Sequence, residues 1–268
     1  MLPRLANRLS AMSLLSLLGC SPSSKDLPAS LAELRAEIRI EDLTSLVTGN
    51  PQERTSMRAV LRDARGRDLE RADVQVEVNG VPMQFHVGIG NYYDRHPCYS
   101  LDDDPRVAVT PATEYRFVLV LPDGARQEIG TVRTPAALMS QQIDLPRKRP
   151  ASGAIAIEWR DLAEPAELVL YRSVSRREDD STIVYESGSS HDPSALRRTI
   201  GPGWFRSRSD KWTLPAKFLA AEANATLRSI GAEIAVVSVG HVAAGVSKQS
   251  TLRAERRIRL DMECAKFE

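Results

Sequence analysis

The sequence predicts an all-β protein made of two tandem antiparallel β-sandwiches, and three observations support that prediction. Apolar residues alternate with polar residues in several short stretches, which is the period of a strand with one buried face. Turn-forming pairs such as Asn79-Gly80 follow those stretches directly. The strand candidates come at short spacing, without the strand–helix–strand alternation that is typical of an α/β enzyme.

The composition is that of an ordinary globular protein with little net charge. The 268 residues include 36 Lys and Arg against 35 Asp and Glu, which gives a formal net charge of +1. That balance argues against nucleic acid as a partner, because no field of one sign surrounds the protein. Three cysteines and four scattered histidines fit neither a disulfide-dense scaffold nor a zinc-ligand pattern. We therefore predict no metal site and no cofactor.

The N-terminal segment has the pattern of an export signal. Arg4 and Arg8 precede a mostly apolar run over residues 9–18. A helix of that length spans about 15 Å, which is half of a bilayer core of about 30 Å. The run therefore predicts the apolar core of a signal peptide and not a membrane-spanning helix.

Leu17-Leu18-Gly19-Cys20 ends this segment and resembles the lipobox of bacterial lipoproteins. In that family the cysteine is lipidated and becomes the first residue of the mature protein. The resemblance implies a cleaved signal peptide over residues 1–19 and a lipid on Cys20. It also implies the outer membrane of the cell envelope, because the next residue is Ser21 and not aspartate. A chance cysteine in an ordinary cleaved signal is the alternative.

Residues 20–35 are predicted to be a lipid-anchored tether. Residues 21–30 are small and polar and include proline, so they cannot bury a core and are typical of a flexible stalk. Strand character begins at about Ala36.

Residues 36–135 are predicted to form the first sandwich. Valines alternate with polar residues over 74–78, and Asn79-Gly80 then supplies the positive φ angles of a tight hairpin turn. A second hairpin is predicted over residues 114–132, with apolar side chains on one face and a Pro-Asp-Gly turn.

This second hairpin resembles the last two strands of a fibronectin type III domain. In that family a tyrosine at the start of one strand caps a corner with its hydroxyl, and Thr-Pro closes the domain. Tyr115 and Thr134-Pro135 match these features within residues 109–135. The resemblance implies an immunoglobulin-like sandwich in which Tyr115 is the corner residue.

Residues 136–150, which include prolines and a basic run, are predicted to link the first sandwich to a second one over 151–268. Ile155, Ile157 and Trp159 share one face of a strand candidate. This stretch resembles the second strand of a fibronectin type III domain, which implies that Trp159 is buried.

The last strand candidate, residues 254–262, has one irregularity. Ala254 and Ile258 face inward by alternation, and Arg257 faces outward. Arg256 breaks that alternation, because a charged side chain occupies an inward position.

Loop aromatics are the best candidates for contacts with a ligand or a partner. Rings at the rim of a sandwich can stack on sugars or anchor a partner protein, and they can equally cover the edge of a core. Asp102-Asp103-Asp104 lacks the spacing of a calcium loop, so a solvated loop is favoured there. The candidate contact residues are Tyr92, Tyr93, Tyr99, Trp204 and Trp212.

The function predicted from these features is a binding or structural one. We expect a lipid-anchored envelope protein, attached to the membrane through Cys20, that acts as a structural element, a spacer or a module that binds an envelope protein. The alternative is a carbohydrate-binding accessory lipoprotein that uses the rim aromatics. A hydrolase is least favoured, because no serine lies in a Gly-x-Ser-x-Gly setting, and we predict no catalytic residue.

Overall fold

The computed structural model describes residues 23–28, 30–47, 51–87, 97–148, 154–178, 182–202, 210–220 and 225–264. Within these ranges the chain forms nineteen strands, one four-residue α-helix and two short 3₁₀ turns. The all-β sandwich fold predicted from the sequence is confirmed.

The strands of the first half are β1 (Ser23–Ser24), β2 (Arg35–Ser45), β3 (Gln52–Arg62), β4 (Asp68–Leu69), β5 (Gln75–Val78), β6 (Val81–Pro82), β7 (Gln84–His86), β8 (Cys98–Asp102), β9 (Glu114–Val120) and β10 (Arg126–Arg133). Those of the second half are β11 (Ile143–Asp144), β12 (Ala156–Trp159), β13 (Ala166–Arg177), β14 (Ile183–Ser187), β15 (Leu196–Ile200), β16 (Lys211–Thr213), β17 (Ala225–Val239), β18 (His241–Val242) and β19 (Thr251–Glu263). Helix α1 is Ala216–Leu219, and the 3₁₀ turns are Leu31–Glu33 and Ser140–Gln142.

One large sheet underlies both halves of the molecule. It has eleven strands, and its main path is β1-β4-β3-β2-β19-β17-β13-β14. A five-stranded sheet, β18-β10-β9-β5-β6, covers the part formed by the first half and encloses the first apolar cluster. A three-stranded sheet, β11-β12-β16, covers the part formed by the second half and encloses the second cluster.

Strand β19 belongs to both sandwiches. It pairs in parallel with β2, from Thr251 opposite Glu37 to Arg259 opposite Ser45, and antiparallel with β17. Its side chains at Leu252 and Ala254 lie in the first cluster. Those at Ile258 and Met262 lie in the second cluster. The C-terminal strand, which the sequence assigns to the second sandwich alone, therefore completes the first one as well.

The predicted linker is part of the second core. Leu138, Ile143 and Leu145 are buried in the second cluster. The backbone of Arg147 accepts a hydrogen bond from Glu263 N at 2.9 Å, which ties this segment to the end of β19. Proline content and a basic run predict an exposed connection, but they do not prevent alternate apolar residues from packing.

The part of the predicted tether that the structure describes is docked. Strand β1 pairs in parallel with β4, and Glu70 N donates to Ser24 O at 2.9 Å. Leu27 packs against the first cluster. A polar segment cannot form a core, but its backbone can pair with the open edge left by a short strand. Residues 23–28 differ in this way from the flexible stalk that their composition predicts.

Two local expectations are confirmed. Asn79 and Gly80 have φ angles of 49° and 82° and join β5 to β6 in a tight turn. The Tyr115 hydroxyl accepts from Thr110 N at 2.8 Å and donates to Ala108 O at 2.6 Å. Tyr115 therefore ties β9 to the chain upstream of it, as expected for a corner tyrosine.

Candidate functional site

Tyr99, one of the predicted contact residues, lies in the core. It is 1% exposed, its ring lies 5.1 Å from the ring of Phe85, and its hydroxyl donates to Arg71 O at 2.8 Å. The reason is the alternation within β8, which turns Tyr99 and Leu101 inward. Tyr99 is therefore not available to a sugar or a partner, contrary to the expectation from its position near a loop.

Trp212 is half-buried on β16, at the edge of the three-stranded sheet. The guanidinium of Arg198 lies 5.8 Å from its ring centroid and 5.8 Å from that of the buried Trp159. A cation over an aromatic face is a stabilising contact within the fold. It also occupies one ring face that a stacked sugar would need. Cys20, Tyr92, Tyr93 and Trp204 lie outside the described residues.

A cavity lined by described residues lies in the second sandwich, beside the end of β13. Its volume is about 270 Å³. Strand β13 forms its floor, and β14 and the segment that follows β14 form its wall. We call it the distal cavity, and its lining residues are Arg172, Val174, Arg176, Glu186, Ser187, Gly188, Asp192, Ser194 and Ala225.

The distal cavity contains charges of both signs. Arg172 donates to Ala220 O at 3.1 Å and lies over the ring of Phe218. Arg176 lies 3.6 Å from the carboxylate of Glu186. Hydrogen bonds from the backbone and side chain of Ser194 hold the pKa of Asp192 below its ordinary value, with a smaller effect from Arg172. Paired opposite charges suit a polar protein segment better than a single anion.

The carboxylates of Asp103 and Asp104, in the acidic loop that precedes β9, bind groups of the same protein. Asp103 accepts hydrogen bonds from Thr55 N at 2.7 Å and Thr55 Oγ1 at 3.1 Å. The Arg106 guanidinium and backbone hold the pKa of Asp104 at about 2. Within the described part of the chain, no group of three or more His, Cys, Asp or Glu side chains is placed to hold a metal ion.

An ion pair between the two cores is a feature that the sequence analysis did not predict. Arg256 and Asp42 lie opposite each other in the parallel pairing of β19 with β2. Arg256 Nε donates to Asp42 Oδ2 at 2.7 Å, and the side chains are only 12% and 19% exposed. On β19, Arg256 lies between Ala254 of the first cluster and Ile258 of the second. The broken alternation at Arg256 is the signal in the sequence, but nothing in the sequence indicates its partner.

Charged side chains also pair across the opposite face of the large sheet. Glu233 is 5% exposed and accepts from Arg259 at 2.7 Å and from Arg257 at 3.3 Å. Glu255 is 7% exposed and also pairs with Arg257. The pairs of Glu233 join β17 to β19, and the pair of Glu255 lies within β19, so these charges stabilise the sheet rather than offer unpaired charge to a ligand.

The chain matches no protein-family model, and a search of curated proteins gave no significant match. No helix among the described residues is long and apolar enough to cross a membrane.

Proposed function

We propose that this protein is a lipid-anchored component of the bacterial envelope that acts as a rigid spacer and presents its second sandwich to an envelope protein. Cys20 in its lipobox-like setting supports the anchor. The observation that supports the spacer is the single sheet shared by both sandwiches.

Rigidity follows from how the two sandwiches are joined. Two domains connected by a linker move relative to each other unless their interface is large and apolar. Here β19 is hydrogen-bonded to β2 on one side and to β17 on the other, and it supplies side chains to both cores. Bending between the sandwiches would break that ladder. A strand of the length of β19 spans roughly 43 Å, so the spacing it fixes is substantial.

The distal cavity is the proposed contact with a protein partner. Its arginines, carboxylates and serine hydroxyls provide donors and acceptors for a polar segment. The carbohydrate alternative would depend on Tyr92, Tyr93 and Trp204, because Tyr99 is buried and Trp212 is partly covered by Arg198. We therefore favour a protein partner.

The anchor is tested by fractionation of cells that express Cys20→Ser. The expected result is that the wild-type protein stays with the membrane after a salt wash and that the Cys20→Ser protein is released. Cys98→Ser is the matched control and should stay with the membrane. Retention of Cys20→Ser after the wash would show that Cys20 does not anchor the protein.

The partner contact is tested by photocrosslinking in intact cells. A photoreactive residue at Ser187, beside the distal cavity, should give a discrete crosslinked protein that is lost in Arg176→Glu. The same probe at Ser56, on the opposite face of the large sheet, is the control and should not give that product. Equal crosslinking from Ser56 and Ser187 would exclude the cavity as the contact.

A further inference from the structure

The chain enters the first sandwich very close to the proposed lipid. Ser23 is opposite Asp68 and Ser24 is opposite Leu69 in the parallel pairing of β1 with β4. Ser24 is only 4% exposed. Ser23 is three positions after Cys20, and an extended chain advances at most about 3.6 Å per position, so Cys20 must lie within about 11 Å of Ser23.

The direction of β1 shows which end of the sandwich the anchor approaches. Because β1 and β4 are parallel, β1 begins on the side of residue 67, where a turn joins β3 to β4. Asp63 closes that turn by accepting from the backbone N–H groups of Arg65 and Arg67, each at 2.9 Å. Arg67 also pairs with Asp63 through its side chain at 2.7 Å.

Two further segments meet this turn. Arg35, at the start of β2, donates to Ala64 O at 2.8 Å. The loop before β19 contacts the residue next to Arg35, because Ser247 N donates to Leu34 O at 3.3 Å. We call this end of the molecule the anchor pole, and it comprises residues 63–67, Arg35 and residues 247–250.

The outward charge of the anchor pole is mainly positive. Arg65 and Lys248 are exposed, and Arg35 is half-buried. Asp63 is buried beneath the turn and paired with Arg67. Glu33 is the exposed acid nearest to Arg35 in the chain. Basic side chains next to a lipid anchor are attracted to anionic headgroups.

We propose that the anchor pole rests directly on the bilayer surface, with Arg65 and Lys248 contacting the phosphates of anionic lipid headgroups. This inference rests on the proposed lipid at Cys20. A connection of two residues, Ser21 and Pro22, is too short to hold the sandwich away from the surface. The same geometry orients the molecule, because β2, β19 and β13 all run away from the anchor pole. The distal cavity near the end of β13 then faces away from the membrane.

Hydrogen exchange on membrane-bound protein tests this proposal. The chain from Cys20, with Cys98→Ser and Cys264→Ser, is coupled through the Cys20 thiol to maleimide lipids in vesicles of phosphatidylcholine and phosphatidylglycerol. We expect exchange in residues 63–67 and 247–250 to slow at least fivefold relative to uncoupled protein, and exchange in 183–187 to stay unchanged. Equal rates in coupled and uncoupled protein would overturn the proposal. Because the coupling is chemical, that failure is distinct from a failure of lipidation in cells.

Two variants sharpen the test. Twelve Gly and Ser residues inserted after Ser21 should abolish the protection while leaving the coupling intact, since the pole is then free to leave the surface. Arg65→Gln with Lys248→Gln should lower the ratio of docked to undocked protein by about fivefold per residue at low salt. Arg177→Gln with Lys211→Gln, in the second sandwich, is the matched control and should have no effect. Protection that survives both the insertion and the charge removal would exclude the proposed contact.

Discussion

The two sandwiches are built on the same eleven-stranded sheet but differ in the smaller sheet that covers it. The first is covered by a five-stranded sheet in which β9 and β10 have seven and eight residues. The second is covered by β11, β12 and β16, which have two, four and three residues. The distal cavity lies beside the end of β13, in the sandwich with the shorter cover strands.

This difference is the basis of the division of roles that we propose. The first sandwich is closed by a long cover and by the Tyr115 corner, and it also holds the docked N-terminal strand. The second sandwich carries the polar distal cavity. Its part of the large sheet is hydrogen-bonded to the first sandwich through β19. A rigid sheet holds the residues of a binding surface in place with greater precision than a mobile loop does. This favours the second sandwich as the one that presents the binding surface.

The largest expected effect comes from ending the chain at Ser250, which removes β19. Both sandwiches should unfold, because the deletion removes Leu252 and Ala254 from one core and Ile258 and Met262 from the other. Hydrogen exchange followed by peptide mass spectrometry should show that β9 and β13 both lose protection. A chain that ends at Cys264 is the control and should remain folded. Native protection of β9 in the shorter chain would mean that the first sandwich folds alone.

The next effect concerns the ion pair between the cores. Asp42→Ala leaves the Arg256 guanidinium buried without its partner and should lower the free energy of unfolding by about 3 kcal/mol. Asp42→Leu with Arg256→Met should recover most of that loss, and urea unfolding measures both. Lys211→Ala, which removes an exposed pair with Glu158, should cost less than about 0.5 kcal/mol. Equal losses for Asp42→Ala and Lys211→Ala would contradict the assigned role.

A smaller effect distinguishes two tyrosines of the first sandwich. Tyr115→Phe removes the hydroxyl hydrogen bonds to Thr110 N and Ala108 O, together with a longer one to Thr110 Oγ1, and should lower the free energy of unfolding by about 2 kcal/mol. Tyr99→Phe removes one and should cost about 1 kcal/mol. Urea unfolding of the two variants provides the comparison. A Tyr115→Phe loss no greater than that of Tyr99→Phe would show that the corner adds nothing beyond an ordinary buried hydroxyl.

The smallest expected effect is a change in the pKa of one carboxylate. We compare Asp104 of the first sandwich with Asp192 of the second. Arg106 holds the pKa of Asp104 at about 2. The stability that the pairing of ionised Asp104 with Arg106 contributes is therefore present above the ordinary pKa near 3.8, and it is lost as the pH falls towards 2. Arg106→Gln should raise the pKa of Asp104 towards its ordinary value. The pKa of Asp192, which is lowered mainly by Ser194, should not change. Carboxyl chemical shifts in NMR measure both, and an unmoved Asp104 would rule out the assigned cause.

The sequence predicts individual strands better than it predicts the roles of aromatic residues. The hairpin at Asn79-Gly80 and the corner at Tyr115 depend on neighbours within a few residues, and both are present in the structure. The position of Tyr99 next to a loop favours an exposed contact residue. Its burial depends on which face of β8 meets the core, and β8 is placed by pairing with the distant strand β3.

The sequence by itself determined the all-β class, the local turns and the alternation of buried residues, because these depend on short-range sterics and on the two-residue period of a strand. Only the tertiary structure decided that β19 joins β2 and that Arg256 meets Asp42, 214 residues away along the chain. Backbone hydrogen bonds are the same for every strand, so an alternating pattern does not specify its neighbour in a sheet. The distal cavity, which residues of β13, β14 and β17 line together, was decided in the same way.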